Sequence, residues 1–105
     1  MTVVWTPTAL AQLDEIYDTI QLERDTATAA KWFFRIEDAA TQLADFPLLG
    51  PPLPEQTLSA TFPAFADLRQ LVVSPYRIIY EVTDTNCNIL SVMRCSRLIG
   101  TENLG

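Results

Sequence analysis

Arginines in the second half of the chain are the residues whose chemistry could be functional. They are Arg69, Arg77, Arg94 and Arg97, four of the seven lysine and arginine residues in the sequence. A guanidinium group binds a phosphate or a carboxylate through two parallel hydrogen bonds. Four such groups gathered beside Tyr76 or Tyr80 would form an anion-binding or target-contact surface. The alternative is that each arginine is a surface residue or pairs with Asp67 or Glu81.

Other catalytic groups are scarce. The chain has no histidine, so it lacks the commonest general base and the usual serine–histidine and cysteine–histidine pairs. Cys87 and Cys95 fall in one predicted strand, roughly 26 Å apart at about 3.3 Å per residue, which is beyond disulfide reach. Two cysteines without histidine make no zinc set. We therefore expect no metal, no cofactor and reduced thiols, as in a cytoplasmic protein.

Length and charge limit the possible classes of protein. The 105 residues suffice for one domain, residues 1–105, and the net charge is −6. An acidic surface disfavours broad electrostatic binding of nucleic acid. The sequence shows neither a signal peptide nor an apolar run long enough to cross a bilayer. These features favour a cytoplasmic location without membrane attachment.

The first half of the chain predicts a strand followed by two helices. The run TVVW at residues 2–5 favours a strand, and Thr6-Pro7 is a helix start with a capping hydroxyl. Apolar residues at helical spacing predict a first helix over residues 7–21 or slightly further. Asp25 or Thr26 is positioned to cap a second helix, which Pro47 limits. Two helices with a short link are expected to pack as an antiparallel hairpin.

The second half predicts a proline-rich segment and then three strands. Residues 46–66 hold five of the seven prolines. Their apolar side chains are expected to cap the core, with some left to meet a partner; they are Leu48, Leu49, Leu53, Phe62 and Phe65. Strands are predicted over residues 68–73, 76–82 and 87–95, joined by short turns into antiparallel neighbours. The predicted fold class is therefore α+β, in the order β-α-α-β-β-β, with the helical hairpin on a small antiparallel sheet and the first strand at an edge.

Strand alternation assigns the arginines to faces of the sheet. Arg77 is predicted on the face opposite Tyr76, and Arg94 on the face of Leu90 and Val92. Arg69 and Arg77 flank the same turn, so they are expected to come close across the hairpin.

Several short matches, taken together, point to a known family. They are Trp5 followed by Ala9, Leu13, Ile16 and Tyr17; Ala29 to Ile36; Leu43, Pro47 and Gly50; Arg69 with Leu71; the block Tyr76-Arg77-Ile78-Ile79-Tyr80; and Ile89 to Arg97. In this order and spacing the chain resembles the RelE/ParE toxin superfamily over nearly its whole length, and it looks closer to ParE. The resemblance implies a toxin of a type II toxin–antitoxin (plasmid stabilisation) system, neutralised by a cognate antitoxin, often of the ParD type.

The resemblance leaves three functions open. ParE-like members are known for inhibiting DNA gyrase without catalysis, and RelE-like members cut mRNA on the ribosome. For cleavage, Arg69, Arg77 and Arg97 would be the catalytic group, but the family's C-terminal tyrosine has no counterpart here. Many ParE-like chains end in a His-Gly-Arg-Arg-like motif, where this chain has Arg94-Cys95-Ser96-Arg97. The third possibility is a non-toxic relic that only binds the antitoxin. In each case we expect an antitoxin helix to lie beside the helical hairpin or on residues 46–66.

Overall fold

The computed structural model describes residues 1–53 and 67–96. Its elements are β1 (Thr2–Trp5), α1 (Pro7–Glu23), α2 (Thr26–Thr41), a 3₁₀ helix (Gln42–Ala44), β2 (Leu68–Val73), β3 (Tyr76–Val82) and β4 (Asn86–Arg94). The predicted order β-α-α-β-β-β is confirmed. No helix among the described residues is both long and apolar enough to span a bilayer.

Both helices begin at the predicted caps. The Thr6 hydroxyl accepts a hydrogen bond from the Ala9 N–H at 3.2 Å and donates one to the Ile89 carbonyl at 2.8 Å, so it also ties α1 to β4. The Asp25 carboxylate accepts from the Thr28 N–H at 2.6 Å, and this hydrogen bond lowers the pKa of Asp25. These caps hold the link between the helices to two residues and make α1 and α2 an antiparallel hairpin.

The sheet is mixed, not purely antiparallel. Its strand order is β1-β4-β3-β2, and β2, β3 and β4 form the predicted antiparallel meander. As expected β1 lies at an edge, but it pairs with β4 in parallel. Parallel neighbours need a long connection, which the helical hairpin and the strands after it provide between β1 and β4.

A β-bulge changes which residues of β4 share a face. Ile79 is opposite Ser91 and Tyr80 is opposite Ile89, so Leu90 is an extra residue on β4. Val92 packs in the core beneath the helices, whereas Leu90 packs with Ile79 on the other face. The expectation that Leu90 and Val92 share a face was therefore wrong, because alternation holds only in a strand without an inserted residue.

The core lies on both faces of the sheet. Its larger cluster, between helices and sheet, includes Leu13, Ile36, Leu43, Ile78, Tyr80 and Ile89. The smaller cluster on the other face contains Leu53, Leu68, Ile79 and Met93. The Leu53 N–H donates to the Leu68 carbonyl at 2.9 Å and the Gln70 N–H donates to the Pro51 carbonyl at 3.1 Å, so residues 51–53 border the outer edge of β2.

Apolar residues of the proline-rich segment have different environments. Leu53 is buried and caps the core as predicted, whereas Leu48 and Leu49 are exposed. Phe62 and Phe65 lie outside the described residues.

Candidate functional site

The predicted arginine cluster is not formed by the arginines that the structure describes. Arg69 is opposite Tyr80 in the β2–β3 register, and Arg94 is opposite Tyr76 in the β3–β4 register. Since Tyr76 and Tyr80 both belong to the core beneath the helices, these two arginines lie on the helix-covered face, at different positions along β3.

Arg77 lies on the other face. Its register partner on β4 is Met93, a member of the smaller cluster on the face away from the helices. The expectation that Arg69 and Arg77 meet across the hairpin was therefore wrong. Arg69 is opposite Tyr80, which is three residues from Arg77 along β3, and an odd separation in a strand puts side chains on opposite faces. Arg97 lies outside the described residues.

Arg69 is used to hold the polypeptide together. Its Nε donates to Asp67 Oδ1 at 3.1 Å and its Nη1 donates to the Gly50 carbonyl at 3.0 Å, and its side chain is only 16% exposed. The Tyr80 hydroxyl donates to the Pro47 carbonyl at 2.9 Å and accepts from the Gly50 N–H at 2.9 Å. Of the alternatives left open for each arginine, Arg69 has the pairing with Asp67. We call Arg69, Tyr80 and residues 47–50 the loop anchor.

Burial also affects acid–base behaviour in the loop anchor. Burial raises the pKa of Tyr80 above its ordinary value, and this effect exceeds the opposing influences of the Gly50 hydrogen bond and the Arg69 charge. The tyrosine therefore stays protonated as donor and acceptor near neutral pH.

Arg94 has a different environment, at the end of the sheet near the helix link. Its Cζ lies 5.6 Å from the Tyr76 ring centroid, within cation–π range. The Tyr76 ring meets the Trp32 ring of α2 edge-to-face at 5.5 Å and 70°, and Arg35 lies over Trp32 at 5.0 Å. The four side chains form a continuous sequence of cation, ring, ring and cation, which we call the cation–π stack.

Two clefts border the cation–π stack, and Tyr76 and Arg94 line both. The first, about 210 Å³, lies between α1 and the end of β4 and is also lined by Gln12, Glu15, Ile16, Thr19, Val92, Met93 and Ser96. The second, about 310 Å³, lies at the helix link and is also lined by Ile20, Glu23, Arg24, Thr28, Trp32 and Pro75. Both contain a carboxylate and a guanidinium, so this end of the molecule carries mixed charge.

Gln12, which lines the first cleft, joins α1 to β4 next to the bulge. Its Oε1 accepts from the Ser91 hydroxyl at 2.9 Å and from the Val92 N–H at 2.8 Å. These bonds satisfy the hydroxyl of buried Ser91 and the Val92 N–H beside α1. Sequence analysis missed this residue, because its partners are defined by a bulge that the sequence does not reveal.

An aromatic groove lies between α1 and α2. The Tyr17 and Phe33 rings meet edge-to-face at 6.1 Å, and Phe33 meets Phe34 at 5.6 Å. Asp14 and Ala30 complete the lining of this space of about 350 Å³, and Phe34 is 57% exposed. We call it the hairpin groove. It shares no lining residue with the two clefts.

The two thiols lie in different environments. Neither Cys87 nor Cys95 is in a disulfide; Cys87 is buried and Cys95 is exposed. Burial raises the pKa of the Cys87 thiol, which makes it a poor nucleophile at neutral pH. Within residues 1–53 and 67–96, no three histidine, cysteine or acidic side chains are grouped as metal ligands would be.

A family model and a solved structure both match this chain. The family model described as the ParE toxin of the type II toxin-antitoxin system, parDE, matches residues 3–99. A solved structure of the chromosomal ParDE TA system from P. aeruginosa is similar at a TM-score of 0.71 and 25% sequence identity. That match covers 90% of this chain and 95% of the other. No match was found among curated proteins.

Proposed function

Because the chain belongs to the ParE toxin family of type II toxin–antitoxin systems, we propose that it inhibits DNA gyrase and that a ParD-like antitoxin neutralises it in a hetero-oligomeric complex. Inhibition of this cytoplasmic target proceeds by binding, without catalysis by the toxin. The similarity to a solved ParDE system over nearly the full length of both chains supports the pairing with an antitoxin.

The hairpin groove is the observation that carries the antitoxin part of the proposal. Tyr17, Phe33 and Phe34 present aromatic surface in an open channel between two helices. An amphipathic helix that folds on binding buries its apolar face in such a channel. Exposed contiguous aromatic surface on a small soluble domain is typical of a partner site.

The surroundings of the arginines do not favour ribosome-dependent mRNA cleavage. A nuclease needs several cationic donors aimed at one developing phosphate charge. Arg69 donates to Asp67 and Gly50, and Arg77 lies on the opposite face of the sheet. Two of the three arginines that cleavage would require therefore do not converge.

A supercoiling assay tests the gyrase proposal. Purified chain is added to gyrase, relaxed plasmid and ATP, with and without its antitoxin. We expect supercoiling to stop and to recover when the antitoxin is added. Uninhibited supercoiling at toxin concentrations well above the antitoxin dissociation constant would contradict the proposal. Mapping mRNA ends after brief induction would then detect cleavage, and colony formation after induction alone would indicate a non-toxic relic.

Paired substitutions test the antitoxin site. Phe34→Asp places a carboxylate in the hairpin groove, and we expect it to weaken antitoxin binding at least about tenfold, as for an interface hot spot. Leu22→Asp is the matched control, because Leu22 is 87% exposed and does not line the groove. Titration calorimetry measures both affinities. Equal affinities for the two variants would place the antitoxin elsewhere.

A further inference from the structure

Two exposed guanidinium groups are held in place by aromatic rings at one end of the molecule. Arg94 lies over Tyr76 and Arg35 lies over Trp32, and the two rings are in contact. Tyr76 is 4% exposed, whereas both arginines are exposed. The rings are thus fixed by the core, and they fix the guanidinium groups at the surface.

These guanidinium groups have no carboxylate partner in the described part of the chain. The ion pair found there joins Arg69 to Asp67, although the chain has thirteen acidic residues against seven basic ones. Stacking on a ring restricts an arginine while its N–H donors stay available. A restricted donor loses less entropy when it binds than a free side chain does.

The residue types of the cation–π stack are those that dominate protein–protein binding energy. Tryptophan, tyrosine and arginine are enriched among residues whose truncation costs most affinity. Here one tryptophan, one tyrosine and two arginines are contiguous across α2, β3 and β4. Arg24 lines the cleft at the helix link and adds a third cation.

The charge around the cation–π stack favours a protein over a nucleic acid. Glu15 lines one adjacent cleft and Glu23 lines the other, and the whole chain has a net charge of −6. A continuous phosphate backbone meets repulsion from such a surface. A protein surface carries separate carboxylates, which can pair with Arg94 and Arg35 and still lie away from Glu15 and Glu23. Such a surface can therefore be complementary in charge to this end of the molecule.

We propose that the cation–π stack, with Arg94 and Arg35 as its charged ends, contacts an acidic surface of the toxin's protein target. This assignment rests on the proposed function, in which the target is gyrase. The stack and the hairpin groove share no residue. Target binding and antitoxin binding are therefore separable by substitution.

The test uses the full chain carrying Arg94→Ala, Arg35→Ala or both. We expect each single variant to need at least about tenfold more protein for half-inhibition of supercoiling, and the double variant to need more still. Arg94→Lys keeps the charge but loses the planar group, so it should recover little. Lys31→Ala is the matched control, because it removes an exposed cation of α2 for which the described residues show no ring or ion-pair contact. Antitoxin affinity, measured on the same samples, should change less than twofold and so reports correct folding.

The outcomes separate the two proposals. If wild type inhibits gyrase and the double variant inhibits equally well, the cation–π stack is not the contact surface. If wild type arrests growth without inhibiting gyrase, the gyrase proposal fails. The cation–π stack then remains the target-contact surface only if cells that express the double variant form colonies. A wild type that does neither overturns both proposals. Binding of labelled single-stranded DNA or RNA that is lost with the double variant would replace the protein target by a nucleic acid.

Discussion

Two arginine–tyrosine pairs lie on the same face of the sheet in opposite environments. Arg69 faces Tyr80, and Arg94 faces Tyr76, each across one strand boundary. In the first pair the guanidinium and the hydroxyl donate to the backbone of residues 47–50. In the second pair the guanidinium lies over the ring and is exposed to solvent.

The difference arises outside the strands. Near Tyr80 the chain leaves the 3₁₀ helix through Pro47 and Gly50, whose carbonyls need donors inside the structure. Near Tyr76 the neighbours are Trp32 and the helix link, which supply rings and side chains instead of backbone carbonyls. The same two residue types therefore stabilise the fold at one position and remain available for binding at the other.

The largest expected effect comes from Gly50→Ala, which tests the loop anchor. A Cβ at Gly50 would overlap the carbonyl of Gln70 and lie 3.0 Å from the Tyr80 ring. Since the overlap is with backbone, we expect the free energy of unfolding to fall by about 1–3 kcal/mol or more. Urea denaturation measures it, with the exposed neighbour Leu49→Ala as control, expected to change by about 0.5 kcal/mol at most. Equal effects would mean that the loop adjusts freely.

Removing one hydroxyl from each pair gives the next largest contrast. Tyr80→Phe leaves the Pro47 carbonyl and the Gly50 N–H without their buried partner, which should cost about 1–3 kcal/mol. Tyr76→Phe should cost less than about 0.5 kcal/mol, because its hydroxyl has no hydrogen bond among the described residues and its ring contacts persist. Chemical denaturation of both variants checks the ranking. A Tyr76→Phe loss as large as that of Tyr80→Phe would remove the distinction between the pairs.

The arginines themselves should show a smaller contrast in stability. Arg69→Ala removes the donors to Asp67 and the Gly50 carbonyl, and we expect a loss of about 1–2 kcal/mol because the Asp67 end is screened by solvent. Arg94→Ala removes one exposed cation–π contact, which is worth about 0.5–1 kcal/mol. Thermal unfolding of the two variants measures the difference. A larger loss for Arg94→Ala would assign it a structural role and weaken its assignment to target binding.

Much of this fold could be predicted because its signals are local. Thr6, Pro7 and Asp25 mark helix starts within a few residues of the bonds they make. Alternation in β3 correctly separated Tyr76 from Arg77. The parallel pairing of β1 was not predicted, because it joins β1 to a strand more than 80 residues further along the chain. The extra residue Leu90 was not predicted, because the residue types of β4 do not show where alternation is interrupted.

The roles of the arginines could be predicted only in part. Arg69 was correctly paired with Asp67 as one alternative, but its bond to the Gly50 carbonyl joins residues 19 apart, across the proline-rich segment. Arg94 was assigned to the face of Val92, but neither its contact with Tyr76 nor a role for Arg35 was predicted. Trp32 and Arg35 are three residues apart on α2, a spacing that places side chains together on a helix and would have indicated the contact.

The smallest expected effect is a dependence of the loop anchor on alkaline pH. Burial raises the pKa of Tyr80 above about 10, the value for the unfolded chain. The folded state therefore holds this proton more tightly, so the associated stability is complete below about pH 10 and is lost as pH rises through the folded-state pKa. Cys87, whose pKa burial also raises, contributes a loss of the same sign.

A comparison of wild type with Tyr80→Phe isolates the tyrosine, because both chains retain Cys87. The stability difference between them should shrink as pH rises above about 10, since wild type loses a contribution that the variant never had. Urea denaturation at several pH values measures that difference. A constant difference across this range would mean that the folded chain holds the Tyr80 proton no more tightly than the unfolded chain does. The loop anchor would then be exposed to solvent, as the Arg94 side chain is.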